Sequence, residues 1–208
     1  MQWFSVHPVS IKIVTALTMA AGMLAAADAH GIWSFRDSGA AGASARAEHR
    51  AQKAEAAMQV LSKVISPGAE FPKRNTCQGE DSSPPLAWSG APATARSFAL
   101  ILDDPDAPSG TFTHWIAWNI PAAAHELPEN MPKTAQTADG GSQGRNDFGK
   151  IGYGGPCPPP GKAHRYYFRV FALDTTLSLK PGAGRAELER AMEGHILARG
   201  ELMARFAR

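Results

Sequence analysis

The segment HRYYFRVFAL at residues 164–173 constrains the fold more than any other part of the 208-residue sequence. It alternates with the two-residue period of a β-strand, so His164 and Tyr166 share one apolar face. The two arginines of the segment fall on the opposite, solvated face. A strand of this kind predicts a sheet that covers a core on one side.

Two further apolar segments have the composition of strands: SFALIL at residues 97–102 and HWIAWNI at residues 114–120. The chain also contains 20 glycines and 16 prolines, and both residue types interrupt helices. Between HWIAWNI and HRYYFRVFAL lies a long stretch, residues 121–162, that is dense in Gly, Pro, Asn and Asp. A loop of this length within a domain is usually functional or disordered.

Helical patterns are expected near the two ends of the chain. Residues 43–58, ASARAEHRAQKAEAAM, combine good helix formers with few large apolar side chains, which predicts a solvated helix. Residues 184–208 show a helical spacing through Leu188, Met192 and Ile196. The expected fold is therefore mainly β, a strand-dominated sandwich with a C-terminal helix and an added N-terminal Ala-rich helix.

The first 29 residues have the pattern of a secretory signal peptide. Lys12 is the only charge before the apolar run IVTALTMAAGMLAA, and the small residues of ADA precede a cleavage site expected after Ala29. The run is too short for the alternative, a membrane anchor. We expect a periplasmic or secreted protein without a membrane span, divided into a leader with the Ala-rich helix, residues 30–57, and one domain, residues 58–208.

Composition excludes some functions and favours a disulfide. The 21 Lys and Arg nearly balance the 19 Asp and Glu, which argues against a nucleic-acid-binding surface. Cys77 and Cys157 both belong to the exported part, and an even cysteine count in an oxidising compartment favours a bridge. Two unpaired buried thiols are the alternative. The sequence has no C-x-x-C motif or Cys/His cluster with zinc spacing, so we expect no structural zinc site and, in the leading hypothesis, no bound metal.

Three aspartates follow the strand SFALIL, at Asp103, Asp104 and Asp106. The ordinary role of aspartate in such a position is a side-chain turn bond that orients the loop. A carboxylate placed at a strand end is also available to a binding site. The sequence around them leaves both interpretations open.

His114 is the polar first residue of its strand, and alternation groups it with Ile116 and Trp118. It is either a satisfied core histidine or, with a carboxylate raising its pKa, a cationic donor for an anion. Two histidines at strand ends, His114 and His164, favour a site. The glycines of GYGGPCPPPG at residues 152–161 would expose backbone N–H groups suited to phosphate or carboxylate.

Three blocks of the sequence together resemble the phosphatidylethanolamine-binding protein (PEBP) family. They are DPDAPSG…HWIAWNIP, GRNDFGKIGYGGPCPPPGKAHRYYFRVFAL and CQGEDSSPPLAWSGAP. The chain is most similar to the bacterial YbhB/YbcL branch, often called Raf-kinase-inhibitor-like, over residues 58–208. The eukaryotic members carry a second aromatic–histidine pair before this strand, whereas here Thr113 precedes His114, as in the bacterial members. Kinase inhibition is therefore not part of what the resemblance implies.

The resemblance implies a mainly β fold, an antiparallel β-sandwich with a small anion-accepting pocket at one end. It implies a cis peptide bond at Ala107–Pro108 and brings Cys77 and Cys157, which flank turn-rich loops, near the pocket as a bridged pair. The ligand-binding residues carried over from the family are Asp104, Pro108, His114, Gly154, Gly155, Pro156, His164 and Tyr166.

The leading functional hypothesis is a non-enzymatic protein, without a cofactor, that binds a small anionic ligand or a phospholipid head group such as phosphoethanolamine. A protein partner bound through the same rim belongs to this hypothesis. One alternative is a secreted inhibitor of a hydrolase or protease. Another is a metal-dependent enzyme, because Asp104, His114 and His164 have the residue types of a two-histidine, one-carboxylate site.

Overall fold

The computed structural model describes residues 56–208, which form nine strands and one α-helix. A single turn of 3₁₀ helix, Lys73–Asn75, precedes the third strand. The elements are β1 (Ala56–Ala57), β2 (Gln59–Leu61), β3 (Leu86–Ser89), β4 (Ser97–Asp104), β5 (Phe112–Pro121), β6 (Glu126–Leu127), β7 (Ser142–Gln143), β8 (His164–Leu173), α1 (Arg185–Met192) and β9 (Ile196–Phe206).

The strands form two sheets. The larger has six strands in the order β1-β9-β8-β4-β5-β7, and the smaller has three in the order β2-β3-β6. All neighbouring strands are antiparallel except β1 and β9, which are parallel. The mainly β, antiparallel fold with one helix near the C-terminus is thus confirmed.

The larger sheet is covered on both faces. On one face, Leu100 and Phe168 pack against Trp88 of the smaller sheet, forming the main core of the sandwich. On the other face, Ile101 belongs to a second cluster that includes Leu188 of α1. Every residue of the central strand β4 is therefore buried. A strand covered on both faces reads as a continuous apolar run, as SFALIL does.

The predicted helix at residues 184–208 is wrong over its second half. The helix ends at Met192, and Gly194 adopts a left-handed φ of +81°, which reverses the chain. Residues 196–206 then form β9, an eleven-residue strand paired along its length with β8. Its buried residues Ala198, Leu202 and others recur at even spacing, so a strand period was present beneath the helical one.

Most of the predicted Ala-rich helix, residues 43–55, lies outside the described residues, as do the predicted signal peptide and leader. The end of that helix is wrong, because Ala56–Ala57 forms β1 and pairs with Ala198 and Arg199 of β9. From residue 56 onward, no helix is long and apolar enough to cross a membrane.

The expected disulfide between Cys77 and Cys157 is confirmed. The two Cα atoms lie 5.4 Å apart, and the bridge spans 80 positions of sequence. It joins the segment after the 3₁₀ helix to the loop that precedes β8, so it ties two irregular segments whose positions no sheet determines.

Candidate functional site

A cavity of about 240 Å³ lies at one end of the larger sheet. Because β4 runs antiparallel to both β5 and β8, its last residues lie beside the first residues of those two strands. The turn after β4 and the loop before β8 complete the wall. The lining residues are Asp104, Ala107, Pro108, Ser109, Phe112, His114, Phe148, Cys157, Pro158, Pro159 and His164.

Asp104 and His164 form the polar pair of this cavity. Asp104 is 3% exposed, and its Oδ2 lies 2.8 Å from His164 Nδ1. Its other oxygen accepts the Asp106 N–H at 2.9 Å, which is a side-chain turn bond. Both roles weighed for the aspartates thus fall on this one residue. Because a carboxylate accepts, His164 Nδ1 carries a proton and Nε2 is the nitrogen left for a ligand.

A β-bulge directs His114 into the cavity. Asp103 pairs with Thr113 and Leu102 pairs with Trp115, so His114 is the extra residue of β5 between two registered pairs. A bulge of this kind changes the direction of a side chain. The grouping of His114 with Ile116 and Trp118 is therefore wrong, because those two pack in the cluster beneath α1.

Three aromatic rings surround His114, which is 3% exposed. Its ring centroid lies 5.1 Å from that of Phe112 and 5.3 Å from those of Phe148 and Tyr166. Its Nδ1 lies 2.8 Å from Gly154 O. A carbonyl only accepts, so Nδ1 is the protonated nitrogen and Nε2 holds a lone pair in the neutral ring.

Burial lowers the pKa of His114 below its ordinary value of 6.5, against the smaller opposing effects of the Gly154 carbonyl and the Asp104 charge. A carboxylate does raise this pKa, as expected, but burial has the larger effect, so the net direction is opposite to the one that a cationic donor needs. Asp104, the carboxylate with the larger effect on His114, is hydrogen-bonded to His164 instead. His114 enters the site as a neutral acceptor.

The GYGGP segment forms the wall behind His114 but does not offer the expected N–H donors. The Gly154 N–H donates to His114 O at 2.9 Å, and the Gly155 N–H donates to Asp81 Oδ1 at 2.6 Å. Pro156 has no N–H, and its carbonyl accepts from Cys77. A Cβ at Gly155 would lie 2.6 Å from Asn75 O, so this glycine permits a close backbone approach.

Tyr166 is fully buried beneath the cavity. Its ring packs edge-on against His114 and Phe71, and burial raises its pKa far above the ordinary tyrosine value. It therefore supports the imidazole from below and lies outside the cavity lining. Of the eight predicted ligand-binding residues, four line the cavity, and Gly154, Gly155, Pro156 and Tyr166 stand behind it.

Sequence reasoning missed the two phenylalanines of the cavity. Phe112 and Phe148 pack at a centroid distance of 4.7 Å, and Phe148 is 43% exposed. Phe148 lies in GRNDFGK, within the long stretch expected to be functional, where a large apolar residue between polar ones was an available signal.

The other two aspartates lie away from the cavity. Asp103 is 1% exposed on the opposite face of β4, where it pairs with Arg169 and lies 2.9 Å from Arg185 of α1. Asp106 accepts two hydrogen bonds from the Arg165 guanidinium, at 2.7 and 2.8 Å. Those bonds hold the pKa of Asp106 well below its usual range and tie the turn to β8.

The expected cis peptide bond at Ala107–Pro108 is wrong, since every peptide bond between residues 56 and 208 is trans. The Gly110 N–H donates to Ala107 O at 3.1 Å, which closes a four-residue turn with Pro108 in its second position. A trans proline is favoured at that position because its fixed φ suits the turn.

Within residues 56–208, no three His, Cys, Asp or Glu side chains are arranged to hold a metal ion. Of the three residues considered for one, Asp104 and His164 bind each other and His114 Nδ1 is taken by a carbonyl. Hydrogen bonds on the two Nδ1 atoms leave Nε2 of each ring open, as they are in histidines that bind metals, so the metal-dependent alternative stays a prediction.

The lowered pKa of His114 predicts that the protein loses stability as the pH falls. The unfolded chain takes up a proton near 6.5, whereas the folded chain takes it up only at lower pH, so stability is complete above 6.5 and declines below it. The charges that face the ring, Asp104 and Asp147, only partly offset this effect. We expect the thermal unfolding midpoint to fall below about pH 6.5 and to fall less in His114→Phe. An equal decline in both proteins would contradict this.

Comparisons with known proteins agree with the geometry. The family model for phosphatidylethanolamine-binding protein matches residues 61–207. A UPF0098 protein of Pyrococcus horikoshii is 53% identical over 151 residues, covering 71% of this chain and 76% of that protein. A UPF0098 protein of Aquifex aeolicus is 49% identical over 155 residues, covering 74% of this chain and 90% of that protein.

Two solved bacterial structures are also similar. E. coli YbcL, a member of the mammalian PEBP family, has a TM-score of 0.69 and 35% identity, covering 73% of this chain and 98% of its own. A putative PEBP homolog of Chlamydia trachomatis has a TM-score of 0.66, 42% identity and the same coverage. The fold, the cavity between the ends of β4, β5 and β8, and these matches lead to one conclusion: the chain belongs to the phosphatidylethanolamine-binding protein family.

Proposed function

We propose that the protein is exported and binds a small phosphate-type anion, such as phosphoethanolamine, in this cavity without catalysing a reaction. The observation that carries the proposal is the cavity itself, bounded by the Asp104–His164 pair and by His114. Together with the exposed Ser109, these are the polar side chains that a ligand meets among mainly apolar walls. A few convergent polar groups in an apolar hollow are typical of a small-molecule site.

The size of the cavity supports a head group or a free anion as the ligand. At about 240 Å³ it lies below the range of roughly 300–1,000 Å³ that holds drug-sized molecules. The acyl chains of a lipid would have to remain outside. A phosphoryl or carboxylate group fits within, beside the two imidazoles.

The charge arrangement also supports an anion, although a carboxylate stands at the site. His164 Nδ1 donates to Asp104, so a second proton on Nε2 would place an imidazolium between the carboxylate and the ligand. The turn that carries Asp106 is neutralised by Arg165 and adds no free negative charge to the rim. A histidine oriented by a buried carboxylate suits a small oxyanion as a hydrogen-bond partner.

The disulfide supports export. Bridges persist in oxidising compartments such as the periplasm and are rare in the reducing cytosol. The intact mass of protein taken from a periplasmic fraction should correspond to residues 30–208, reduced by the two hydrogens of one bridge. A chain recovered with residues 1–29 still attached would contradict this part of the proposal.

A calorimetric titration with phosphoethanolamine, in the presence of a chelator, tests the binding. We expect saturable binding that weakens at least about tenfold in His164→Ala, because a hydrogen bond to a charged group is lost. His195→Ala is the matched control. His195 Nδ1 lies 2.8 Å from Asp174 Oδ1 in the same kind of pair, but it is exposed and lies beside the other end of β8.

The expected result is an affinity that falls in His164→Ala and does not change in His195→Ala. Equal affinity in the two variants would place the ligand elsewhere. The absence of saturable binding to the unmodified protein would refute an anion pocket. Phosphate and acetate, titrated in the same way, separate a requirement for the phosphoryl group from a general preference for anions.

A further inference from the structure

The two histidines of the cavity offer a ligand opposite kinds of hydrogen bond. His164 uses Nδ1–H on Asp104 and is positioned to donate from Nε2 when it carries a second proton. His114 uses Nδ1–H on the Gly154 carbonyl at 2.8 Å, which leaves Nε2 as an acceptor. A simple anion satisfies only a donor. The acceptor nitrogen of His114 is satisfied only by a ligand that also carries a hydrogen-bond donor.

The surroundings of His114 keep it an acceptor. Its ring is 3% exposed and packs against three aromatic rings, which cannot solvate an imidazolium as water does. The titratable and charged groups around it are Asp104 on β4, Tyr166 on β8 and Asp147 in the loop before β8. Asp104 is hydrogen-bonded to His164 and Asp147 to the Thr113 N–H. Burial outweighs these charges and lowers the pKa of His114.

We propose that His114 is the specificity-determining residue of this cavity, and that it selects a monoprotonated phosphoryl group whose P–O–H donates to His114 Nε2. This inference rests on the proposed function. A phosphate monoester has a second pKa of about 6, so it carries such a proton on one oxygen near and below that pH. A sulfate monoester has the same tetrahedral shape but no proton to donate. Its oxygens would face the lone pair of His114 and leave this buried acceptor unpaired.

The matched ligands for the test are phosphoethanolamine and 2-aminoethyl sulfate, titrated into the purified protein at about pH 6. Both carry the same ammonium group and a tetrahedral oxyanion, so they differ mainly in the donated proton. We expect the sulfate ester to bind about tenfold more weakly, since a buried acceptor that is left unpaired costs roughly a factor of 5 to 150.

His114→Phe is the variant that isolates the acceptor. Phenylalanine keeps an aromatic ring among Phe112, Phe148 and Tyr166 but has no nitrogen. We expect the phosphate ester to lose affinity and the ratio between the two esters to fall toward one. A residue that only maintains the shape of the cavity would weaken both esters together and leave their ratio unchanged.

The outcomes separate this inference from the proposed function. Equal binding of both esters by the unmodified protein overturns the selection by His114 and leaves the anion pocket intact. Binding of neither ester overturns both proposals. Preference for the phosphate ester that persists in His114→Phe assigns the selection to another group. If His114→Phe does not fold, as judged by thermal unfolding, the ratio in the unmodified protein decides alone.

Discussion

Replacing both Cys77 and Cys157 by serine is expected to lower the free energy of unfolding by about 4 kcal/mol. The bridge spans 80 positions, and closing a loop of this length removes about that much conformational freedom from the unfolded chain. The bonded segments are irregular on both sides, so no strand pairing replaces the constraint. The same bridge holds the Cys157–Pro159 part of the cavity wall.

Urea unfolding of the oxidised protein and of the double serine variant measures this difference directly. The unmodified protein treated with a reductant is the matched control, and its midpoint should approach that of the variant. A loss of less than about 1 kcal/mol would mean that the reduced chain retains much of the constraint in its unfolded state. We also expect the variant to bind phosphoethanolamine more weakly, because Pro158 and Pro159 lose their anchor.

Two neighbouring aspartates are expected to affect different properties when each is changed to asparagine, one the stability and the other the ligand affinity. Asp103→Asn should lower the free energy of unfolding by about 3 kcal/mol, because it removes the partner of Arg169 and Arg185 from a nearly inaccessible site. This value is at the lower end of the roughly 3–5 kcal/mol that breaking a buried ion pair costs. Both arginines are partly exposed and keep glutamate partners, Glu201 and Glu189.

Asp104→Asn should change stability by less than about 1 kcal/mol while weakening phosphoethanolamine binding at least about tenfold. The amide oxygen still accepts the Asp106 N–H. The amide at this position also leaves the His164 imidazole a polar partner for its hydrogen bond.

Urea unfolding and calorimetry on the same two preparations test this pair of predictions. The expected result is a stability loss confined to Asp103→Asn and a binding loss confined to Asp104→Asn, with both measured on folded protein. If fully folded Asp103→Asn also lost phosphoethanolamine binding, a change on one face of β4 would affect the cavity on the other face. Unchanged binding in Asp104→Asn would remove the carboxylate from the site.

The strands and the position of the site could be predicted because both follow from local alternation and from strand ends. The period of HRYYFRVFAL placed His164 and Tyr166 on one face. The predicted strand ends at Asp104 and His114, close to the observed ends of β4 and β5, brought three polar residues to one end of the sheet. β9 was missed because Leu188, Met192 and Ile196 also have a helical spacing, and only Gly194 marks where that pattern stops.

The chemistry of the site depended on pairing between strands, which a single strand does not reveal. The bulge at His114 arises from its register with β4, and it moves the ring away from the face that alternation assigns. The Asp104 carboxylate accepts a hydrogen bond from His164 on β8, and not from His114. Only the three-dimensional arrangement of the strands shows which histidine is its partner. The sequence likewise does not show that the Gly154 and Gly155 N–H groups donate within the protein, to His114 O and Asp81 Oδ1.

The most direct test of the central claim, that a phosphate-type ligand binds between His114 and His164, is to follow the ring nitrogen chemical shifts of the histidines during a phosphoethanolamine titration. His125 and His195 are exposed internal controls. We predict saturable shifts at Nε2 of both His114 and His164, with Nδ1 of His114 protonated throughout and the control rings unchanged. Shifts that are absent at His114 and His164, or that are equally large at His195, would contradict this account of the site.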